Sequence, residues 1–408
     1  MCNMKSLFYF KSYIMMLILF SCNQTEKTEN SIPFEKLTTE YTGVNFSNNI
    51  TPNLESSENL FDYDYFYNGS GVGIADINND GLKDIIFTAN QEENKLYLNK
   101  GNLKFEDITS SSNINSENKR WSSGVTFVDI NNDGWLDIYI SQGGPNKAYN
   151  RKNLMLINNQ DLTFTDLATE YGLDDEGIST QSAFFDFDKD GDLDCVVMNE
   201  NEFFGYDPTT FFKRLYHNKT ILMQNSSHLY EQIDGKFINI TEKAGLLSPT
   251  FGLGLCISDI NNDNWPDIYI ANDYYVKDAM YINNQDGTFT NQIQASTKQI
   301  SFYGMGVDIE DINNDNLSDI FVLDMASSDH VRSKTLMASM NTSNFDLITN
   351  KLDQHYQYMF NSLQLNLGNN KYHNVSHQLN MAKTDWSWAG LIFDYNLDGN
   401  EDIFVTNG

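Results

Sequence analysis

One nine-residue acidic pattern recurs six times in this 408-residue chain, and each copy runs straight into three apolar residues of strand-forming type. The pattern is Asp-x-(Asn/Asp)-x-Asp-(Gly/Asn)-x-x-Asp. Its first position is Asp76, Asp129, Asp186, Asp259, Asp311 and Asp394, and its third is Asn78, Asn131, Asp188, Asn261, Asn313 and Asn396. The fifth is Asp80, Asp133, Asp190, Asp263, Asp315 and Asp398, and the ninth is Asp84, Asp137, Asp194, Asp267, Asp319 and Asp402. Oxygen-bearing side chains at alternate positions of a tight turn converge on one point. That suits a hard cation taking six to eight oxygens at about 2.3–2.6 Å, so the expected cofactor is Ca²⁺, about one per loop and up to six. Magnesium would demand stricter octahedral geometry and retain more water.

The sixth position supports this reading, because a turn folded around an ion needs a residue with positive φ, which Gly takes freely and Asn tolerates. The chain offers Gly81, Gly134, Gly191, Asn264, Asn316 and Gly399 there. Loops four and five, which carry Asn, are expected to bind most weakly. An EF-hand loop would end in Glu at position twelve and enter a helix. Here position twelve is Phe87, Ile140, Val197, Ile270, Val322 or Val405, and runs such as Ile138-Tyr139-Ile140 read as strands.

Successive loops begin 53, 57, 73, 52 and 83 residues apart, a unit of a little over fifty residues with two insertions. A period in that range signals a propeller or an array. Four segments recur per unit: a strand into the loop, a strand out of it, a third element such as Leu96-Tyr97-Leu98-Asn99, and a fourth beginning at an aromatic, as in Phe105-Glu106-Asp107-Ile108-Thr109. Four short antiparallel strands make one blade, and blades arranged radially bury both faces of every sheet. The expected fold is therefore all-β, a β-propeller of six to seven four-stranded blades with calcium-binding inter-strand loops. Phe34 to Thr38 reads as a fourth strand without its unit, and Asp394 to Gly408 supplies the first two strands of another. The two could share one blade and seal the ring. Its third strand is still missing, so either the closure is imperfect or the chain is part of something longer.

The loops, the Leu-Tyr-Leu-Asn element and the Phe-x-Asp-Ile-Thr element together resemble the FG-GAP/VCBS repeat family, related to the calcium-binding propeller of integrin α subunits. The resemblance covers residues 34–408. Trp121-Ser122-Ser123-Gly124 and Thr384-Asp385-Trp386-Ser387-Trp388-Ala389-Gly390 are similar to segments of large bacterial members that carry a C-terminal ASPIC/UnbV module, which these residues do not include. The Phe-Gly and Gly-Ala-Pro signatures of integrin blades are not reproduced, so the resemblance implies the fold and calcium rather than an integrin ligand site.

Formal charge is −30, with 56 acidic against 26 basic residues. No basic stripe exists to replace phosphate counterions, so a nucleic-acid partner is not expected. At the N-terminus, Lys5 and Lys11 precede an apolar run from Tyr13 to Phe20 that ends in Leu19-Phe20-Ser21-Cys22, which resembles a bacterial lipoprotein signal. The expected domains are a signal peptide over 1–22, a polar tether over 23–32 and the propeller over 33–408. Cys22 is the expected lipidation site, with plain secretory cleavage as the alternative, because Phe20 is atypical of a lipobox. The only other membrane attachment would be none, since the run is too short to span. Localisation follows as the cell envelope, anchored to the outer membrane and facing the periplasm or exterior. Cys195 and Cys256 both fall on expected strands and read as small hydrophobes rather than a disulfide.

No Gly-x-Ser-x-Gly elbow, His-Glu-x-x-His helix or Cys-x-x-Cys pair appears, and a cation-bound Asp is a poor general base. The expected function is a non-catalytic calcium-binding scaffold for adhesion, glycan or protein binding, as a monomer or within an envelope complex. The alternative is a polysaccharide lyase or hydrolase on a propeller scaffold. The insertion of the third unit carries Phe203, Phe204, Tyr206, Phe211, Phe212 and Tyr216, either an exposed ligand surface or packing across a blade edge. The fifth insertion, from Asp324 to Asn361, reads as a helical excursion capping one face of the ring.

Overall fold

The computed structural model describes residues 34–115, 120–145, 149–335 and 342–407. The expected signal peptide, Cys22 and the tether lie outside them. Residues 34–37 belong to a separate small unit and form no regular element. The remainder is an all-β, six-bladed propeller of antiparallel sheets, so of the six or seven blades expected, six are present.

Blade 1 comprises Val72–Ala75, Asp84–Phe87, Lys95–Asn99 and Phe105–Asp107; blade 2 comprises Ser122–Val128, Asp137–Gln142, Leu154–Asn158 and Phe164–Asp166. Blade 3 is Ser179–Phe185, Asp194–Asn199, His228–Ile233 and Lys236–Asn239, and blade 4 is Gly252–Ser258, Asp267–Asn272, Ala279–Asn283 and Phe289–Asn291. Blade 5 is Val307–Glu310, Asp319–Val322, Ser362–Asn366 and Tyr372–Asn374. Blade 6 has its first two strands, Asp385–Phe393 and Asp402–Asn407, with the short Met325–Ala326 paired to the start of the first. The four segments read from the sequence are the four strands of a blade in chain order.

A strand at Phe34 to Thr38 is not observed. Thr38 instead caps a helical turn, Thr39–Thr42, accepting from the Tyr41 amide at 3.3 Å, and Gly43 closes that turn at φ 81°. A side-chain cap at one end and a left-handed glycine at the other favour the helical turn locally.

The core lies between blades. One face of each sheet packs on the next: Ile86, Leu96 and Leu98 of blade 1 against Ile138, Ile140 and Leu154 of blade 2. Tyr139 and Met155 of blade 2 meet Cys195 and Val197 of blade 3. Equivalent clusters join blades 3 and 4, 4 and 5, and 5 and 6. Side chains alternate across a strand, so each second strand feeds two clusters at once. Burying one such Tyr or Phe contributes about 1.5–3 kcal/mol. Near the axis the innermost strands come so close that a Cβ on Gly124 would stand 2.4 Å from the Thr180 carbonyl oxygen, and one on Gly306 would stand 2.5 Å from that of Trp388. Glycine is required there for close approach rather than for φ. Among the described residues both cysteines are free, with Cys195 buried and Cys256 half-buried.

Over the ends of the strands opposite the acidic loops lies a separate, largely aromatic layer. It is assembled from Tyr63, Tyr65 and Phe66 ahead of blade 1, Phe211, Phe212 and Leu215 from the blade 3 insertion, Phe251, Tyr275 and Phe302 from blade junctions, and Ile348 from the blade 5 insertion. Both insertions contain helices, at Pro208–Tyr216 and Lys219–Gln224 in the first and at Arg332–Thr335, Thr342–Asp346 and Leu347–Lys351 in the second, which also carries the short strands Met325–Ala326 and Gln357–Tyr358.

Candidate functional site

On the loop face, all six sixth-position residues adopt positive φ, from 66° at Asn316 to 99° at Gly191. Position four does the same in every loop, at Asn79, Asn132, Lys189, Asn262, Asn314 and Leu397, with φ of 56° to 61°. Lysine and leucine gave no sequence signal for that. In five loops the first Asp accepts from the amides of positions five and six, at 2.6 to 3.1 Å. The acidic turn is thus closed by its own backbone, with side-chain oxygens gathered inside it.

Loop three differs. Only the Gly191 amide reaches Asp186, and Asp186 Oδ1 is buried without a hydrogen-bond partner. Carboxylate oxygens of Asp186, Asp188 and Asp194 lie within 4.8 Å of one another. Three converging carboxylates with one orphaned buried oxygen have the donor chemistry that a hard divalent cation requires.

Position nine serves the sheet as well as the loop. In blades 1 to 5 one of its oxygens accepts from the position-two amide, at 2.9 to 3.2 Å, and the other from a third-strand amide, at 2.7 to 2.9 Å. Burial pushes Asp194 and Asp267 up to about 7, and Asp137 and Asp319 to about 6, against those hydrogen bonds. Each oxygen keeps a lone pair for an ion. The third-strand Asn of the Leu-Tyr-Leu-Asn element has a role that sequence reading missed. Asn158 Nδ2 donates to the Ile77 carbonyl of the previous blade's loop at 2.8 Å, and Asn283 does the same to Phe187 at 2.8 Å. Recurrence of Asn at the end of four third strands was the available signal.

The blade 3 insertion is placed differently from the expected ligand surface. Phe211 and Phe212 are buried in the cap, with Phe211 stacked on Phe251 at 5.2 Å, and Phe203 and Phe204 are half-buried against the same layer. Helix Pro208–Tyr216 is amphipathic, and its apolar side turns inward. Only Tyr206 (39% exposed) and Tyr216 (58%) face solvent, and the Arg214 guanidinium lies 4.5 Å from the Phe203 ring centre.

The cap also holds a cavity of about 510 Å³ that local motifs did not reveal. Tyr65, Tyr67, Tyr274, Trp386 and Trp388 line it, together with the carboxylates of Asp64 and Asp273 and the Arg332 side chain. Tyr274 donates to Asp64, Tyr65 donates to Asp273 at 3.1 Å, and Arg332 Nε is 2.6 Å from Asp385. Burial pushes Asp273 up to about 7. Elsewhere, Asp175 and His228 form a buried pair with Tyr230. Burial opposes charge on both members, and their pairing overrides it, holding Asp175 below and His228 above its ordinary value. The remaining ring nitrogen, Nε2, lies 2.8 Å from the Met223 carbonyl, so this imidazole is committed to structure and not placed as a base.

The FG-GAP-like repeat matches residues 61–140 and 259–322, the stretches that contain loops one, two, four and five. The chain carries FG-GAP-like repeats. Over 132 residues this chain is 32% identical to Cartilage acidic protein 1 of Xenopus tropicalis; the match covers 32% of this chain and 20% of that protein, a fifth of its length. Among solved structures it is similar to an Agrocybe aegerita lectin that recognises non-reducing terminal N-acetylglucosamine, with TM-score 0.44 and 15% identity over 82% of this chain and 73% of that one. It is also similar to the V. cholerae biofilm matrix protein Bap1, with TM-score 0.32 and 16% identity over 64% and 35% of the two chains.

Proposed function

We propose that this FG-GAP propeller is a ligand-binding scaffold of the cell envelope, with its binding site on the cap face and its acidic loops stapled by calcium. The observation that carries the reading is the cap cavity. Five aromatic side chains and two carboxylates around about 510 Å³ offer stacking faces and hydroxyl acceptors together, the combination that recognises a sugar ring or a ligand of similar polarity. Tyr206 and Tyr216 of the blade 3 insertion offer further exposed aromatic surface.

Calcium has a structural role in this proposal. In each loop the oxygens of positions one, three, five and nine would hold the ion, tying the first two strands of a blade, and loop three fits best because Asp186 Oδ1 has no other partner. Six such ions would offset about twelve of the formal negative charges. Lipidation at Cys22 and outer-membrane anchoring complete the proposal, resting on the N-terminal sequence alone.

Two experiments test it. Thermal melts with calcium titrated against chelator, with metal counted by native mass spectrometry, are expected to show a calcium-dependent rise and five or six ions. No shift and no bound metal would remove the staple. A glycan array probed with the intact chain and with Tyr67→Ala is expected to give a binder that the variant loses, whereas product release from polysaccharide would replace the scaffold with an enzyme.

A further inference from the structure

The cap cavity joins aromatic rings to acids that have no countercharge. Tyr65, Tyr67, Tyr274, Trp386 and Trp388 surround one space of about 510 Å³, with Tyr65 and Tyr274 meeting edge to face at 6.3 Å, and Asp64 and Asp273 stand in the same lining. A second cavity, of about 290 Å³ between the innermost strands, shares Tyr65, Asn68, Met305 and Trp388 with the first, and Glu200 lines it. Asp324 directly precedes Met325 of the cap cavity wall, and its Oδ1 is buried with no hydrogen-bond partner. Glu200, Asp273 and Asp324 come just past the second strands of blades 3, 4 and 5.

These carboxyls act on one another. Burial, and then the charge of Asp273, pushes Glu200 and Asp324 up to about 8, and burial pushes Asp273 itself to about 7. Among the described residues none of Asp64, Glu200, Asp273 and Asp324 forms an ion pair. Arg332 lines the cavity but is held by Asp385 at 2.6 Å, and Arg151, whose charge reaches Glu200, is held by Glu202 at 2.8 Å. Buried carboxylates of this kind are relieved by a proton or by a cation placed beside them.

We propose that the cap cavity selects a small organic cation whose charged head is a methylated ammonium, of the kind choline carries. The inference rests on the cap cavity being the ligand site, and it adds charge as the property that is recognised. Ring faces present the negative side of their quadrupole and attract a cation within about 6 Å. Hydrogen bonding selects the methylated form. Asp273 already accepts from the Tyr65 hydroxyl at 3.1 Å and the Tyr274 amide at 2.7 Å, and Asp64 accepts from the Tyr274 hydroxyl. A primary ammonium brings three N–H donors to a lining made mostly of ring faces, whereas a trimethylammonium head brings the charge and no donors. The cavity has the size that takes up a whole small molecule, and a formal charge of −30 raises the local concentration of cations.

Calorimetry on the intact chain tests this, in millimolar calcium and about 0.15 M salt, so that the loops hold their own ion and diffuse attraction is screened. The probes are choline, its uncharged tert-butyl analogue and ethanolamine. Choline is expected to bind once per chain, and the other two about tenfold more weakly or worse. Asp64→Asn should weaken choline about tenfold and leave the uncharged analogue unchanged, a difference that a general loosening of the cap would not produce. Tyr67→Ala, at a side chain that is 55% exposed, should weaken both. The comparison of probes on the unaltered chain decides the matter even where a variant fails to fold. An uncharged analogue or ethanolamine as tight as choline would overturn the proposal, as would choline binding that Asp64→Asn leaves intact. A neutral glycan that Tyr67→Ala loses, with choline inert, would overturn the cation and leave the cap-face reading standing; no ligand of either kind would remove both.

Discussion

On the loop face every blade contributes the same turn, closed in five of the six by the same pair of hydrogen bonds to its first Asp, whereas on the cap face no two blades contribute the same segment. The loops hold their shape through contacts within nine residues and one Asn from the next blade. The cap joins Tyr63, Phe211, Phe251 and Ile348, residues as much as 285 positions apart. The difference teaches where stability and specificity reside in such a ring. Repeated local chemistry fixes the scaffold, and unrepeated long-range packing shapes the surface that a ligand would meet.

The largest expected effect tests whether the cap is core or ornament. Phe251→Ala removes a fully buried ring stacked on Phe211, and should cost about 3–5 kcal/mol in urea unfolding; a loss below about 1 kcal/mol would show that the cap can detach from a stable ring. Next comes the loop face. Asp133→Ala should lower stability in millimolar calcium by about 2–3 kcal/mol, the linkage contribution of one site near a hundredfold above its Kd, and by much less in chelator. Equal losses under both conditions would make the loop a plain turn. Asn283→Ala leaves the Phe187 and Pro266 carbonyls short of a donor, and should cost about 1–3 kcal/mol with or without calcium.

A smaller effect distinguishes the faces by pH. Glu200 and Asp324 under the cap are pushed up to about 8, and Asp273 to about 7, in each case mainly by burial. Carboxyls with raised folded pKa bind protons more tightly folded than unfolded. Their contribution therefore favours folding near pH 4 to 5 and is lost as pH rises towards 8. Melts in chelator should show this decline, and Glu200→Gln should flatten part of it; a slope unchanged by the substitution would assign the decline to the loops. The smallest effect belongs to the exposed rim. Tyr206→Ala should change stability by less than about 0.5 kcal/mol while reducing ligand capture, if the ligand extends that far.

The loops and blades were legible because each states its requirement locally and states it repeatedly: Asp at one, five and nine, a φ-tolerant residue at six, and an aromatic opening the fourth strand. Position four of the loop was not legible, since Lys189 and Leu397 take positive φ only because the turn around them is closed by other residues. Phe211 and Phe212 were readable as either surface or packing. What decides between them is Phe251 and Tyr275, which arrive from a different blade. The Trp386, Trp388 and Tyr274 cavity is likewise a product of closure, invisible until distant segments meet. The strand expected at Phe34 to Thr38 had the right pattern and pairs with no strand among the described residues, and pattern alone does not form a sheet.

The asparagine that reaches from a third strand into the preceding loop sets an order of events. Asn158 ties blade 2 to loop one, Asn283 ties blade 4 to loop three, and Asn366 reaches the Ile260 carbonyl of loop four from blade 5. Each clasp points backwards along the chain, so a blade leaving a ribosome stays only half-fastened until its successor emerges. Synthesis then locks blades 1, 3 and 4 one blade late, and a pause after any of these leaves its loop as the last part still unfastened.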